Sequence, residues 1–382
     1  MVKKAVKTIL IILAVLLLIL VLFLGYLILT EYKPEDVEPV EIVLAGSGAA
    51  GGAGATGTQL PLMKVGETYR LLSWNIGYCG LGDNSDFVVD GGTMVMTADE
   101  ERTRENMKNI MNELQTENAD IMLIQEIDID SRRTYHINQV QEITDSFPGT
   151  QYTFAYNYNC KFIPYPWPPL GKMESGIVTM SRYQIESANR VQLPIAFPWP
   201  VSIANLKRCL TVHHIPLEGQ DGKELVLVNL HLEAYDKGEG KVLQTQLLKE
   251  VIETEFDKGN YVIAGGDFNQ IFSSVDGSKF PQQEGTWECG EINVSEFGVE
   301  TVGLDDPGAE VAWEWKFLMD EDIPSCRSLD KPYENADKET FQYYIIDGLI
   351  LSPNVDFLSY EVKDFDFRWS DHNPIIMEFK LI

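Results

Sequence analysis

The chain has 382 residues, 45% of them hydrophobic, enough for a large core in one or two domains. Its formal net charge is −28, opposite in sign to proteins that hold polynucleotides by neutralising backbone phosphates. That argues against a tight nucleic-acid binder, but it leaves room for a nuclease whose bound cations supply positive charge locally.

Residues 9–29 are an uninterrupted run of uncharged, mostly Leu, Ile and Val side chains. At about 1.5 Å per residue, a helix of that length crosses a bilayer core of roughly 30 Å. A cleaved signal peptide has a shorter core and a nearby small-residue cleavage site. Residues 1–30 therefore read as a cytoplasmic stub and a single-pass membrane anchor. Lys3, Lys4 and Lys7 precede the run, and Glu31, Glu35, Asp36 and Glu38 follow it. By the positive-inside bias the N-terminus is cytoplasmic and the remainder lies outside the cell membrane. Residues 31–68 read as a linker, acidic at first and then a Gly/Ala-rich flexible tether across 45–57. Residues 69–382 show no repeat and read as one domain.

Within that domain, 71–75 reads as a strand. Thr97 and Glu100 have capping-box spacing, and Met107, Ile110, Met111 and Leu114 follow at helical intervals. Strands are expected at 119–127, 176–180 and 225–232. Val242, Leu247, Val251, Ile252 and Phe256 mark a second amphipathic helix, followed by strands at 261–265, 343–351 and 375–381. Many strands with few long helices predict an α/β fold in which two sheets pack face to face under outer helices. His213 and His214 are neighbours on a further strand, must face opposite ways, and read as structural. Cys79, Cys160, Cys209, Cys289 and Cys326 show no Cys-x-x-Cys spacing, so a zinc cluster is not indicated. They read as isolated buried thiols, with up to two disulfides as the alternative.

Five segments end a hydrophobic run with polar groups: Leu71-Leu72-Ser73-Trp74-Asn75, Ile121-Met122-Leu123-Ile124-Gln125-Glu126, Leu227-Val228-Asn229-Leu230-His231, Val262-Ile263-Ala264-Gly265-Gly266-Asp267-Phe268-Asn269, and Trp369-Ser370-Asp371-His372-Asn373-Pro374. In layered α/β folds such strand ends converge on one rim, where sites are built. Glu126 closes a fully apolar strand, where an unpaired carboxylate is costly, so something positive should meet it. Gly266 lets the backbone turn closely before Asp267 and Asn269. His372 can accept a proton from water near neutral pH if a carboxylate fixes its tautomer.

In this order the segments resemble the endonuclease/exonuclease/phosphatase superfamily, over roughly residues 69 to 382. The resemblance implies the DNase I-like fold, a four-layer sandwich of two mixed β-sheets flanked by helices. It implies Mg²⁺ or Mn²⁺ as cofactor, with Glu126 as principal metal ligand, Asn75 beside it and Asp371 near the metal. It further implies that Asp267 acts on the attacking water, Asn269 donates to a phosphate oxygen, Asp347 pairs with His372, and His231 donates to phosphate or leaving group. Which group is base and which is acid stays open. Nuclease members often carry an aspartate where Gly77 stands, so one-metal and two-metal arrangements both remain. Abasic-site nucleases have a tyrosine at the position of His231; the Asn-x-His form is shared by secreted DNase, sphingomyelinase-like and deadenylase-like branches.

Arg132, Arg133 and Arg327 are candidates to clamp a phosphate or anionic headgroup, with surface salt bridges as the alternative. The aromatic and proline-rich stretches 162–170 and 197–200 suit a membrane interface, stacking on a base or sugar, or packing over the core edge. The expectation is a membrane-tethered, outward-facing, metal-dependent phosphoesterase, foremost a phosphodiesterase. A nuclease on DNA or RNA, a phospholipid headgroup hydrolase, a phosphomonoesterase and a non-catalytic binding module are its rivals. The expected partners are a phosphoester substrate and the membrane, with nucleic acid not indicated by charge and no obligate protein partner evident.

Overall fold

A computed structural model describes residues 2–46, 60–236, 238–297 and 314–382. In chain order the principal elements begin with helix α1 (Val2–Leu29), strand β1 (Thr68–Asn75), helix α2 (Glu100–Glu117) and strand β2 (Ile121–Asp128). Strands β3 (Gln151–Ile163), β4 (Gly171–Ser181), β5 (Ser187–Gln192), β6 (Cys209–Pro216) and β7 (Glu224–His231) follow. Helix α3 (Glu239–Asp257) leads to β8 (Tyr261–Asp267), β9 (Asp347–Leu351), β10 (Val355–Val362) and β11 (Ile375–Leu381).

The central strands are apolar without alternation because both their faces are buried. Leu71 of β1 and Leu123 of β2 join the core between the sheets, while Leu72 and Met122 pack with Ile110 and Leu114 of α2. Leu225 and Leu227 of β7 likewise face the other sheet, and Val226 and Val228 meet Leu248 and Ile252 of α3. The strand period of two thus sorts successive residues into different layers.

One sheet has the order β10-β11-β1-β2-β4-β3, with Val43–Leu44 on its far edge. The other runs β5-β6-β7-β8-β9 between the edge strands Val37–Pro39 and Lys316–Leu318. β1 pairs with β2, and β7 with β8, in parallel; the other pairings in the two sheets are antiparallel. With helices outside each sheet, the layers run helix, sheet, sheet, helix: the DNase I-like sandwich. Buried polar ties join the sheets. Gln125 Nε2 donates to Asn229 Oδ1 at 2.8 Å, and His213 Nε2 lies 2.7 Å from Thr153 Oγ1. His213 is structural, as expected, and burial lowers it to about 4.

Four details depart from the sequence reading. Helix α2 is capped by Asp99, whose side chain accepts from Arg102 N at 2.8 Å, not by Thr97 two residues earlier. The stretch 343–351 is broken before Asp347, because Ile346 O and the Ser325 hydroxyl take bonds a continuous ladder would use. The 13-residue strand β3 was not anticipated. Its asparagines and half-buried tyrosines blur the apolar signal. Residues 31–46 are not a linker. Val37–Pro39 and Val43–Leu44 complete one edge of each sheet, and Glu31 pairs with Lys207 at 3.3 Å. The Gly/Ala-rich tether lies, from residue 47 on, outside the described residues.

Candidate active site

Three adjacent strand ends of the second sheet set three polar residues in one row. His231 ends β7, Asp267 ends β8, and Asp347 begins β9; Asp267 stands opposite both of the others. Residues opposite one another leave the same face of a sheet, so register alone brings these side chains together. Gly266 permits the approach: its φ is 144°, and a Cβ there would stand 2.0 Å from Leu230 O.

The first sheet delivers its groups by irregularity. Asn75 ends β1, and Glu126 sits where the β2–β4 pairing slips between Ile124 and Ile127. Its φ of 52° is left-handed, a conformation that a non-glycine residue keeps only where its surroundings hold it. Asn75 Nδ2 donates to Glu126 Oε1 at 3.3 Å and to Asp267 Oδ2 at 3.0 Å. The segment Ser370-Asp371-His372 is stapled to the end of β1. Ser370 Oγ donates to Asn75 O at 2.8 Å, and Trp74 Nε1 donates to His372 O at 2.9 Å.

The groups meet in one cleft. His372 Nδ1 lies 2.7 Å from Asp347 Oδ2, which fixes the ring, and its Nε2 lies 3.8 Å from Asp267 and 3.9 Å from Asp371. His231 Nε2 is 3.3 Å from Asp267 and 3.9 Å from Glu126. Asn269 N donates to Asp267 Oδ1 at 2.8 Å, and its side-chain Nδ2 donates to Leu232 O at 3.0 Å. That leaves the second amide hydrogen of Asn269 for a ligand.

Burial, then the nearby Asp347 carboxylate, raises Asp267 to about 7. Burial, with Glu126 adding to it, raises Asp371 to about 6. His231 is pushed well below the usual histidine range by burial and by the charges of Arg208 and His372. Burial alone would lower His372 too, but Asp347, with Asp371 and Asp267 behind it, outweighs that and lifts it well above the usual range. Two histidines with opposite displacements in one cleft suit acid–base work on the two sides of a reacting centre.

Residues 72–319 match the Endonuclease/Exonuclease/phosphatase family. The chain belongs to this family. No curated protein sequence matches it. Among solved structures it is similar to the endonuclease/exonuclease/phosphatase from Beutenbergia cavernae DSM 12333, at 16% identity and TM-score 0.52, covering 82% of this chain and 72% of that one. It is also similar to the endonuclease/exonuclease/phosphatase from Bacteroides vulgatus, at 15% identity and TM-score 0.48, over 83% of this chain and 100% of that one. A third likeness is to D. rerio TDP2 complexed with single strand DNA product, at 16% identity and TM-score 0.47, over 82% and 99%. At these identities the likeness is of fold, and the first of the three bears it. Members of the endonuclease/exonuclease/phosphatase family hydrolyse phosphoesters and generally depend on divalent metal ions.

The donor set fits such an ion. Carboxylates of Glu126, Asp267, Asp347 and Asp371 crowd one cleft, and Asp267 and Asp371 are held up by burial first and by a neighbouring carboxylate as well. Hard oxygen donors suit Mg²⁺ or Mn²⁺. Cys326, close to Asp371 and His372, does not suit it: burial pushes its thiol up to about 12. Asp347 is engaged with His372, leaving Glu126 and Asp371 as the residues that would hold the ion. Asn75 presents its amide nitrogen to the carboxylates, while its Oδ1 accepts from Gly77 N at 3.1 Å. As it stands, Asn75 orients Glu126 and Asp267 and does not offer an oxygen.

The three arginines are committed elsewhere, which corrects their reading as substrate clamps. Arg132 Nη1 donates to Pro169 O. Arg133 binds Asp128 at 2.9 and 3.1 Å and lies 3.5 Å over the Tyr78 ring. Arg327, 1% exposed, donates to the carbonyls of Ser328, Gly82 and Leu81. Its backbone N–H, however, bonds Asp371 O at 3.0 Å and so fixes that loop. Sequence reasoning missed Ser325, whose hydroxyl accepts from the N–H groups of Ile346 and Asp347 at 3.1 and 3.0 Å. No local pattern marks it, since its partners lie 21 and 22 residues on. The five cysteines are all unpaired thiols.

Proposed function

We propose that the chain is a divalent-metal-dependent phosphodiester hydrolase tethered to the outer face of the membrane by α1. The observation that carries the reading is the His372–Asp347 pair, 2.7 Å apart, directed at Asp267 with Glu126 and Asp371 alongside. Glu126 and Asp371 would hold a divalent ion, which would supply neutralisation of the phosphate charge. Asp267 and the His372–Asp347 pair hold the attacking water, and Asp267, raised to about 7 by burial, takes its proton. The His231 ring N–H and the Asn269 amide donate to the oxygens on which charge develops.

Membrane attachment is supported by the 28-residue apolar helix, with no buried residue across its most apolar window. Its C-terminal end packs on the domain: Leu27 is buried, and the Phe23 and Phe162 rings meet edge-on at 6.1 Å. An end built into the domain favours a retained anchor over a cleaved signal. The lysines before the helix and the acids after it favour a cytoplasmic N-terminus.

The test is hydrolysis of bis(p-nitrophenyl) phosphate by the purified full chain in detergent, with Mg²⁺, with Mn²⁺ and with chelator. Turnover that needs the metal and vanishes in Glu126→Ala, Asp267→Ala and His372→Ala is expected. Metal-independent turnover, or wild-type rates in those variants, overturns the proposal.

A further inference from the structure

A cavity of about 730 Å³ opens at the catalytic cleft, and its lining joins Asp267 and His372 to Leu24 and Leu27 of α1. Away from the cleft the lining is largely aliphatic and aromatic, including Phe197, Ile203 and Tyr158. The cavity is in the size range that buries most of a bound organic ligand.

Its three arginines are held by the protein itself, with Arg327 on the carbonyls of Ser328, Gly82 and Leu81. Arg208 reaches His231 O at 3.3 Å and Glu233 at 3.5 Å, Arg133 is paired with Asp128, and no lysine is among the described lining residues. A polynucleotide needs a row of cations along its backbone, and this lining offers none. An apolar chain needs only dry walls.

The rim beside α1 carries exposed aromatics. Tyr165, Trp167 and Trp199 are 74%, 88% and 73% exposed. They follow Phe162, which packs on Phe23, and precede the short helix Val201–Ala204, which lies against α1. Aromatic rings at the end of a spanning helix favour the headgroup level of a bilayer.

We infer that the substrate is a membrane phospholipid, whose phosphodiester enters the cleft while its apolar chains occupy the cavity that runs to α1. This rests on the phosphodiesterase reading above. The oxygen of water bonds to phosphorus, one phosphorus–oxygen ester bond breaks, and the departing alkoxide takes a proton. The tail-bearing product stays with the membrane, and the other product leaves to water. The chains supply binding energy remote from phosphorus, which raises turnover only when the phosphate is held with them.

The full chain is assayed on mixed phosphatidylcholine/phosphatidylglycerol vesicles, on the deacylated glycerophosphodiesters of the same headgroups, and on bis(p-nitrophenyl) phosphate. Lipid is expected to exceed its deacylated counterpart by about 100-fold in kcat/KM. Ala204→Trp, which fills the cavity away from the catalytic groups, should cut lipid turnover by at least about tenfold, leaving the small diester unaffected. Binding of the fluorescent fatty acid cis-parinaric acid, measured in chelator, should occur with wild type and be lost in Ala204→Trp. Equal rates on lipid and deacylated diester, or no parinarate binding by wild type, overturn the inference while leaving the phosphodiesterase reading intact. Absence of turnover on all three substrates overturns that reading instead, and parinarate binding then still decides the nature of the cavity.

Discussion

The two sheets build the site in opposite ways. The second sheet supplies His231, Asp267 and Asp347 through plain register, on three strands side by side. The first sheet and its loop supply Glu126, Asp371 and His372 through exceptions: a slipped pairing, a left-handed residue, and a segment pinned by Ser370 and Trp74. A group set by register moves only if the sheet moves. A group set by an exception depends on a few private bonds. Functional adjustment is therefore expected in the first half of the site and rigidity in the second.

The largest effect falls on His372, where the halves join through Asp347. His372→Ala should lower kcat/KM on the small diester by about 10⁴-fold with an unchanged circular dichroism spectrum; a loss under tenfold would detach the loop from the chemistry. Next is Arg133→Met, which strips the fully buried Asp128 carboxylate at the end of β2 of its cation, leaving it only the Thr134 hydroxyl. Denaturant unfolding should show about 3–5 kcal/mol less stability with KM unaltered. A raised KM at unaltered stability would restore Arg133 as a substrate clamp.

The tie between the sheets has a pH signature. His213 is held neutral by burial, at about 4 folded against about 6.5 unfolded. Between those values the unfolded chain binds the extra proton, so stability falls as pH drops from 6.5 to 4 and flattens below. The loss is about 3 kcal/mol, and His213→Gln should remove that slope from denaturation midpoints measured across the window. The smallest effect is expected at Gly77, with φ 49°, where a Cβ would sit 2.8 Å from Asp371 Oδ1. Gly77→Ala should raise the Mg²⁺ needed for half-maximal turnover by about tenfold; unaltered Mg²⁺ dependence would remove Asp371 from the ion's surroundings.

The register half was the more legible in the sequence. Apolar runs ending in Asn229-Leu230-His231 and Gly266-Asp267 mark strand ends without knowledge of their partners. Glu126 was found on the same signal, but its bulge was not, because the slip is a property of the pairing with β4. Asn229 shares a motif with His231 yet serves the contact between the sheets, two residues further from the rim. The arginines were misread because charge type is visible in a sequence and commitment is not. Asp128 is only five residues before Arg133, but what binds the pair is the burial of both. Residues 31–46 went unrecognised as edge strands because their pairs are two or three residues long and rich in Glu and Pro, below any periodic signal.

Seven residues, 30–36, separate the end of α1 from the edge strand Val37–Pro39. With Val37–Pro39 bonded into the sheet, the tethering proposed above would hold the domain at one fixed height over the bilayer, where it would sweep a plane, not a volume. Its rate should then follow the number of substrate molecules per unit of membrane area, and diluting the lipid within a vesicle should slow it where diluting the vesicles does not.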